Sequence, residues 1–253
     1  MAEMPEVPAP ARRPARKPAR APRKPPLTVA AIIDAALEIV DTEGLEALSM
    51  RRVAQKLDTG AASLYAHVQN KEDLLDLVLD RVNGEVKLPP PDPDHWQEQL
   101  GGALRQIRDI YASHNDLAKA NFGRIPTHPN SLVSMESMFA LLKSAGLPDK
   151  VIAWSGDLLA LYGTAAGFEL GLLRLREMQD PGSVEAYFAQ IGGFFGSLPQ
   201  ERFPAVHSLL EAMMEGDSDE RFDFGLEVIL LGMQAYADRM RAAEDAAESA
   251  PEG

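Results

Sequence analysis

The residues best suited to a chemical task lie close together, in the stretch Leu48 to Lys71. Within it Ser49, Arg51, Ala61, Ala62, Ser63, Tyr65, His67 and Lys71 offer hydroxyls, cations and small methyl groups. Such groups touch base edges and phosphates rather than break bonds: a methyl can meet the thymine C5-methyl, and a serine hydroxyl can pair with several bases. The residues that catalysis needs are missing. There is no cysteine, hence no thiol nucleophile, disulfide or cysteine-ligated metal. The five histidines, His67, His95, His114, His128 and His207, are scattered without metal-ligand spacing. HExxH, GxSxG, P-loop and dinucleotide-binding patterns are absent. Ser113-His114-Asn115-Asp116 contains triad residue types, but neighbours in one segment cannot adopt triad geometry. The expectation is a binding protein without enzymatic activity, cofactor or metal.

Two short helices must position this stretch. Ser49 is an N-cap for the first, which carries Val53 and Leu57 inward, and Asp58-Thr59-Gly60 forms a tight turn. The second runs from about Ala61 to Val68 with Leu64 and Val68 inward, completing a helix-turn-helix in which Ala61, Ala62 and Ser63 lead the reading helix. A preceding helix is capped by Thr28, shares Ile32, Ala36, Leu37 and Val40 on one face, and ends at Gly44. Asn70 caps a following helix anchored by Leu74, Leu75 and Val78, with Asp73 placed to return a bond to the cap.

The segment closely resembles the TetR (tetracycline repressor) family. Leu48-Ser49-Met50-Arg51, Val53-Ala54-Gln55-Lys56-Leu57, and above all Leu64-Tyr65-Ala66-His67-Val68 followed by Asn70-Lys71 carry the likeness. It implies a dimeric repressor of a palindromic double-stranded DNA operator, released by a small molecule. Arg51, Ala61, Ala62 and Ser63 then fall where family members contact bases, and Ser49, Tyr65, His67 and Lys71 where they contact phosphates. Ala-Ala-Ser replaces the Gln-Pro-Thr of tetracycline-responsive members, which implies a different operator. The second half is similar to the tetracycline repressor's own branch at Trp96-Gln97, His114, Gly123, Pro126 and Phe224-Gly225-Leu226-Glu227. Those members place a magnesium-binding histidine where this chain has Asn121, and a substrate-binding asparagine where it has Ala103. Both differences argue against a magnesium–tetracycline effector.

The fold class expected is all-α: an N-terminal helix-turn-helix domain over residues 27–87, a Pro-rich boundary over 88–95, and a larger helical effector and dimerisation domain over 96–241. Helices are predicted at about Trp96–Ser113, Ser131–Ser144, Asp149–Arg176, Ser183–Ile191, Phe203–Met214 and Glu220–Arg241. In the last, Phe222, Leu226, Ile229, Met233, Tyr236 and Met240 follow heptad spacing. In the long helix, Gly156, Ala160, Gly163, Gly167 and Gly171 form a stripe of small residues, beside an apolar stripe of Leu159, Tyr162, Ala166, Leu170 and Leu173. The small-residue stripe and the heptad seam Phe222, Leu226, Ile229, Met233 and Tyr236 are read as dimer interface, as the four-helix contact of family members implies, the alternative being that the stripes belong to the core of one chain. Trp96, Asn121, Phe122, Arg124, Met135, Met138, Phe139 and Trp154 are candidates to line a cavity for an apolar or aromatic effector.

Charge divides the chain. Residues 1–26 carry seven Lys/Arg against two acids, within a total of −13. This Pro/Ala-rich arm reads as disordered, either following DNA phosphates or the minor groove or simply solvated. Residues 27–87 are themselves acidic, with six Lys/Arg against eleven Asp/Glu, so their cations must gather on the DNA face. The end, 242–253, reads as a frayed acidic tail. No apolar run approaches the roughly 18 residues that span a membrane, and no secretory signal is visible, so a cytoplasmic protein without membrane contact is expected. A constitutive or activating regulator without effector is the alternative; the long second domain, more than an interface needs, separates the two.

Overall fold

A computed structural model describes residues 26–114 and 116–248, all of whose regular structure is helical. The basic arm lies outside the described residues except for residue 26, as do residues 249–253 of the acidic tail. Eleven α-helices are present among the described residues. The first four are α1 (Val29–Glu43), α2 (Met50–Lys56), α3 (Ala61–Leu64) and α4 (Lys71–Asn83). The predicted caps form. Thr28 accepts from the Ala31 amide at 3.1 Å, Ser49 from Arg52 at 3.2 Å, and Asn70 from Asp73 at 2.9 Å. Asp73 returns its bond to the amide of Gln69, at 2.8 Å, one residue before the cap. Gly44 ends α1 at φ 87°, a backbone region that favours glycine.

The remaining helices are α5 (Trp96–Ser113), α6 (Leu117–Asn121), α7 (Pro129–Ser144), α8 (Asp149–Gln179), α9 (Ser183–Gly196), α10 (Pro204–Met214) and α11 (Ser218–Glu248). Helices α7, α8 and α9 run two to five residues beyond their expected bounds, and three further differences matter more. The reading helix keeps α geometry for one turn only, then closes with Leu64 accepting from both His67 and Val68 at 2.9 Å. The short α6 was not foreseen, because five residues are too few to show a period. The final helix continues through Glu248 rather than fraying at residue 242.

Two apolar cores form. In the first, Ile32, Ile39, Leu48, Val53, Leu64, Leu74 and Val78 pack together, but Tyr111 of α5 and Leu117 and Ala118 of α6 complete it. The helix-turn-helix unit thus shares its core with the second half of the chain. The second core gathers Leu100, Leu104, Leu142, Ile152, Leu159, Phe222, Leu226 and Met233.

Helix α8 corrects three expectations. First, its 31 residues are long and apolar enough, by length and composition, to cross a membrane. Second, its small-residue stripe faces inward along this chain rather than a second copy. A Cβ on Gly163 would lie 3.0 Å from Ile107, on Gly167 2.7 Å from Tyr111 and 2.8 Å from the Arg108 carbonyl, and on Gly171 3.4 Å from the Ala112 carbonyl, all on α5. Third, its Leu159 stripe meets α11 within the chain: Tyr162 stacks on Phe222 and donates to the Phe222 carbonyl at 2.7 Å. The expected seam of α11 follows it inward, with Phe222, Leu226 and Met233 buried, Ile229 half-buried, and Tyr236 exposed. Exposed leucines occupy a further side of α8. A helix that packs on two neighbours and keeps an outer apolar face is apolar over most of its circumference, with Asp157 and Glu169 as exceptions in its middle, which explains its membrane-like composition.

Backbone contact along the α5–α8 seam leaves no room for a methyl group. Gly167→Ala should destabilise the chain by about 1–3 kcal/mol, since α5 must move away. Gly102→Ala, on a helix position with open space, should be neutral or stabilising by a few tenths to about 1 kcal/mol. Thermal unfolding of both variants checks the contrast, which equal midpoints would contradict.

Candidate DNA-reading face and interior cavity

The turn between α2 and α3 sets out the proposed DNA contacts. Asp58 takes a left-handed φ of 51° and Gly60 caps α3. Leu64 and Val68 are then buried, while Ala62, Ser63, Tyr65 and His67 face outward, Tyr65 being 55% exposed. A large aromatic ring left that open has no packing role in the chain. Ala61 and Lys71 are half-buried and Arg51 is exposed; Ser49 spends its hydroxyl on the cap of α2.

Three of the six Lys/Arg of this acidic unit are engaged by its own carboxylates. Arg52 binds Glu43 through Nε at 2.9 Å and Nη2 at 2.5 Å, Lys56 meets Glu38 at 2.6 Å, and Arg81 meets Glu85 at 2.8 Å. Lys87 donates to the Gly84 carbonyl at 2.6 Å. Among the described residues of this unit, only the cations of Arg51 and Lys71 are left without an ion pair or hydrogen bond, and both are among the residues expected to contact DNA. Pairing the others cancels acids that would repel phosphate.

Behind α4 lies a cavity of about 570 Å³. Leu79, Asp80 and Asn83 of α4, Ile107 and Tyr111 of α5, Asn121 of α6, and Met135, Met138 and Phe139 of α7 line it. Its floor is α8 at Ala153, Gly156, Asp157, Ala160 and Thr164. Two residues expected at a dimer interface, Gly156 and Ala160, therefore open on the cavity; a Cβ on Gly156 would lie 2.9 Å from the Phe139 ring. Of the predicted lining, Asn121, Arg124, Met135, Met138 and Phe139 are present. Trp96 is buried in the second core instead, Phe122 faces out, and Trp154, 68% exposed, carries the Lys150 ammonium over its ring. Aromatic type alone could not separate these fates. The contribution of α4 was not foreseen, since its sequence marks only the face toward α1.

A polar network joins α4 to the cavity's far wall. Asp80 is buried, 8% exposed, and accepts from the Ser131 amide at 2.8 Å, the Ser131 hydroxyl at 3.0 Å and the Asn130 amide group at 3.1 Å. These are first-turn groups of α7, whose own N-cap residue, His128, makes no side-chain cap bond. Asp80 thus caps a helix from the other half of the chain, where a carboxylate also favours the helix dipole. Asn83 donates to the Ser131 hydroxyl at 3.0 Å and accepts from the Tyr111 phenol at 2.8 Å. Burial pushes that phenol's pKa up, against the opposing effect of Asn83, so it remains a neutral donor. Arg124 adds a second tie, pairing with Asp76 and with Glu72 at 2.7 Å. A third is His114, whose Nδ1 lies 3.0 Å from Asp41 of α1 and whose Nε2 lies 3.7 Å from Glu85. The Asp41 hydrogen bond raises the His114 pKa, burial opposes it, and the charges of Asp41 and Glu85 raise it further. No group of three or more His, Cys, Asp or Glu side chains is placed to hold a metal ion among the described residues.

Residues 32–78 match the model for "Bacterial regulatory proteins, tetR family", and residues 88–237 match "Tetracyclin repressor-like, C-terminal domain". The chain belongs to the TetR family. It is 35% identical to the HTH-type transcriptional repressor DrrR1 of Streptomyces coeruleorubidus, over 89% of this chain and 82% of that one. Against the solved TetR family protein ActR of Streptomyces coelicolor, the ligand-free structure superposes with TM-score 0.76 at 43% identity, covering 85% of this chain and 99% of that one. The complex of ActR with actinorhodin gives TM-score 0.77 at 44% identity, covering 84% and 97%. This TetR-family protein is a ligand-responsive, DNA-binding transcriptional repressor.

The ties between the two halves can be measured. Asp80→Ala should cost about 2 kcal/mol or more, because it uncaps α7 and leaves buried donors without an acceptor; chemical unfolding with an unchanged free energy would refute the cap. The His114 contribution has a definite sign. A pKa raised above the ordinary 6.5 stabilises fully below that value and fades as pH rises through the folded-state pKa. The stability gap between the parent chain and His114→Gln should therefore narrow from about pH 6 to pH 8.5. A gap that stays constant or widens would count against the ion pair.

Proposed function

We propose that this repressor works as a homodimer in the cytoplasm, on a palindromic duplex operator, and that an apolar or aromatic small molecule in the interior cavity releases it. Residues 27–87 would read DNA, and residues 96–241 would hold the effector and the dimer contact. The observation that carries this reading is the wall of the cavity: α4, the helix that follows the reading helix, supplies Leu79, Asp80 and Asn83 to it. A molecule entering there meets α4 directly. Any ligand that fits better when α4 has shifted draws the population toward the shifted state, and without that difference in affinity nothing moves. The companion structures of ActR with actinorhodin and with (S)-DNPA support a small molecule as the trigger.

The dimer reading rests on faces other than those first expected. Leu158, Leu161, Leu172 and Leu175 on α8, and Phe224, Val228 and Leu231 on α11, are all 37% exposed or more. Spacings of three and eleven on α8, and of four and three on α11, keep each set on one side of its helix. Apolar rows of this length on two adjacent long helices suit a four-helix contact with a second copy. A lipid environment suits them less, since Asp157 and Glu169 of α8 would enter hydrocarbon. With two copies, the reading helices address half-sites one turn of DNA apart, and a shift of a few Å breaks that register.

Within the reading face the roles divide. Tyr65 and Lys71 would hold phosphates, while Arg51 and Ser63 would touch bases. Selection of bound sequences from a random duplex library tests the whole reading: the parent chain should enrich a palindrome. Tyr65→Ala should weaken binding across all sequences, by about tenfold for one lost phosphate anchor. Ser63→Ala should instead change the preferred base at a symmetric pair of positions. No enrichment at low salt, where phosphate contacts are strongest, would overturn the proposal.

A further inference from the structure

The cavity wall contains more charge than an apolar ligand needs, and its sign is one-sided. Asp76, Asp80 and Asp157 face Arg124 as the one permanent cation among the described lining residues. Three of these four are already engaged. Arg124 pairs with both Asp76 and Glu72, so its positive charge is met twice over. Asp80 accepts three hydrogen bonds at the head of α7. His128, also in the wall, has the Thr127 hydroxyl 3.5 Å from its Nδ1.

Asp157 is different. It stands on the cavity face of α8, between Ala153 and Ala160 and one residue from Gly156. No hydrogen bond or ion pair engages it among the described residues. The small side chains around it leave the carboxylate room to face an occupant. Met135, Met138 and Phe139 share the lining with it, soft and aromatic surfaces that also tolerate a cation. An anion would meet an uncompensated carboxylate, with no free guanidinium or ammonium in the wall to receive it. A neutral ligand would leave Asp157 partly dehydrated and unpaired, which costs free energy.

We propose that the effector is a cation, an apolar or aromatic body bearing an amine or equivalent positive group, and that Asp157 is its counter-charge. The inference rests on the cavity being the effector site and specifies the chemical class admitted there. Because Asp157 remains in contact with solvent, the charge acts as a selector among ligands of one shape rather than as the main source of affinity.

Three pyrene derivatives of one skeleton separate charge from shape: 1-pyrenemethylamine, 1-pyrenemethanol and 1-pyrenecarboxylic acid. Fluorescence titration of the full chain, without DNA, should rank amine over alcohol over carboxylate, with about fivefold or more between the first two. In Asp157→Asn the gap between amine and alcohol should close, and in Asp157→Glu it should largely remain. Ala160→Trp, which sets an indole into the cavity next to Asp157, should abolish binding of all three. Equal affinities that are all lost in Ala160→Trp would overturn the cation assignment and leave the cavity reading intact. An amine preference that persists in Asp157→Asn would overturn the role of Asp157. Binding that survives Ala160→Trp, or no binding of any derivative, would overturn the cavity reading and this inference with it.

Discussion

Asp80 occupies a position that carboxylates avoid. It is buried in the last turns of α4, one residue beyond Leu79 in an otherwise apolar run, and its charge is held by amide and hydroxyl donors from the first turn of α7. Neither partner is complete without the other. A buried carboxylate lacking those donors would be strongly destabilising, and a helix start with no cap leaves amide groups unmet. The helix that follows the DNA-reading turn is thereby bound to the helix that supplies Met135, Met138 and Phe139 to the cavity. The geometry of this bond is narrow, so α4 and α7 move together or the bond breaks. In either case a change in the cavity is felt at α4.

The same logic extends outward. Arg124 ties the segment after α6 to Glu72 and Asp76, and His114 ties the end of α5 to Asp41 and Glu85. These three polar ties surround the shared core of Tyr111, Leu117 and Ala118. The apolar contact supplies adhesion without direction, whereas the hydrogen bonds and ion pairs define one orientation. If release works as proposed, by a change of orientation between the halves, a few directional bonds serve it better than a larger apolar interface. Breaking a handful of polar contacts costs a few kcal/mol, within reach of the binding energy of a small molecule.

Local chemistry was legible in the sequence wherever it acted over a few residues. The caps at Thr28, Ser49 and Asn70, the Asp58–Gly60 turn and the outward Tyr65 all follow from neighbouring residue types, and the helix Trp96–Ser113 has the bounds its apolar period marks. What the pattern could not assign was the partner of each face. On α8 the small stripe, the Leu159 stripe and the outer leucines all have helical periodicity, and nothing in periodicity says which meets α5, which meets α11 and which is left outside. Gly156 and Ala160 continue the stripe of Gly163 and Gly167, yet they line the cavity instead of meeting α5, and Gly156 lies against the Phe139 ring of α7. Asp80 was invisible for a related reason: its donors lie some fifty residues away.

The cavity therefore arises from the fit of unequal surfaces. Where glycines let α5 approach α8, backbone meets backbone and the seam is dry. One or two turns earlier along α8, Ala153, Gly156 and Ala160 are still small, but they share the cavity with α4 and α7, which are fixed to one another and to α5 by the polar network of Asp80, Asn83, Ser131 and Tyr111. That network cannot collapse into the space without leaving polar groups unpaired. Small residues on one side and rigid polar bracing on the other keep the interior open in the absence of ligand. The bracing that preserves the space is also the connection between the reading helix and the rest of the chain. An occupant that fills the space well enough to press on its walls thus acts on the residues that set the orientation of α4.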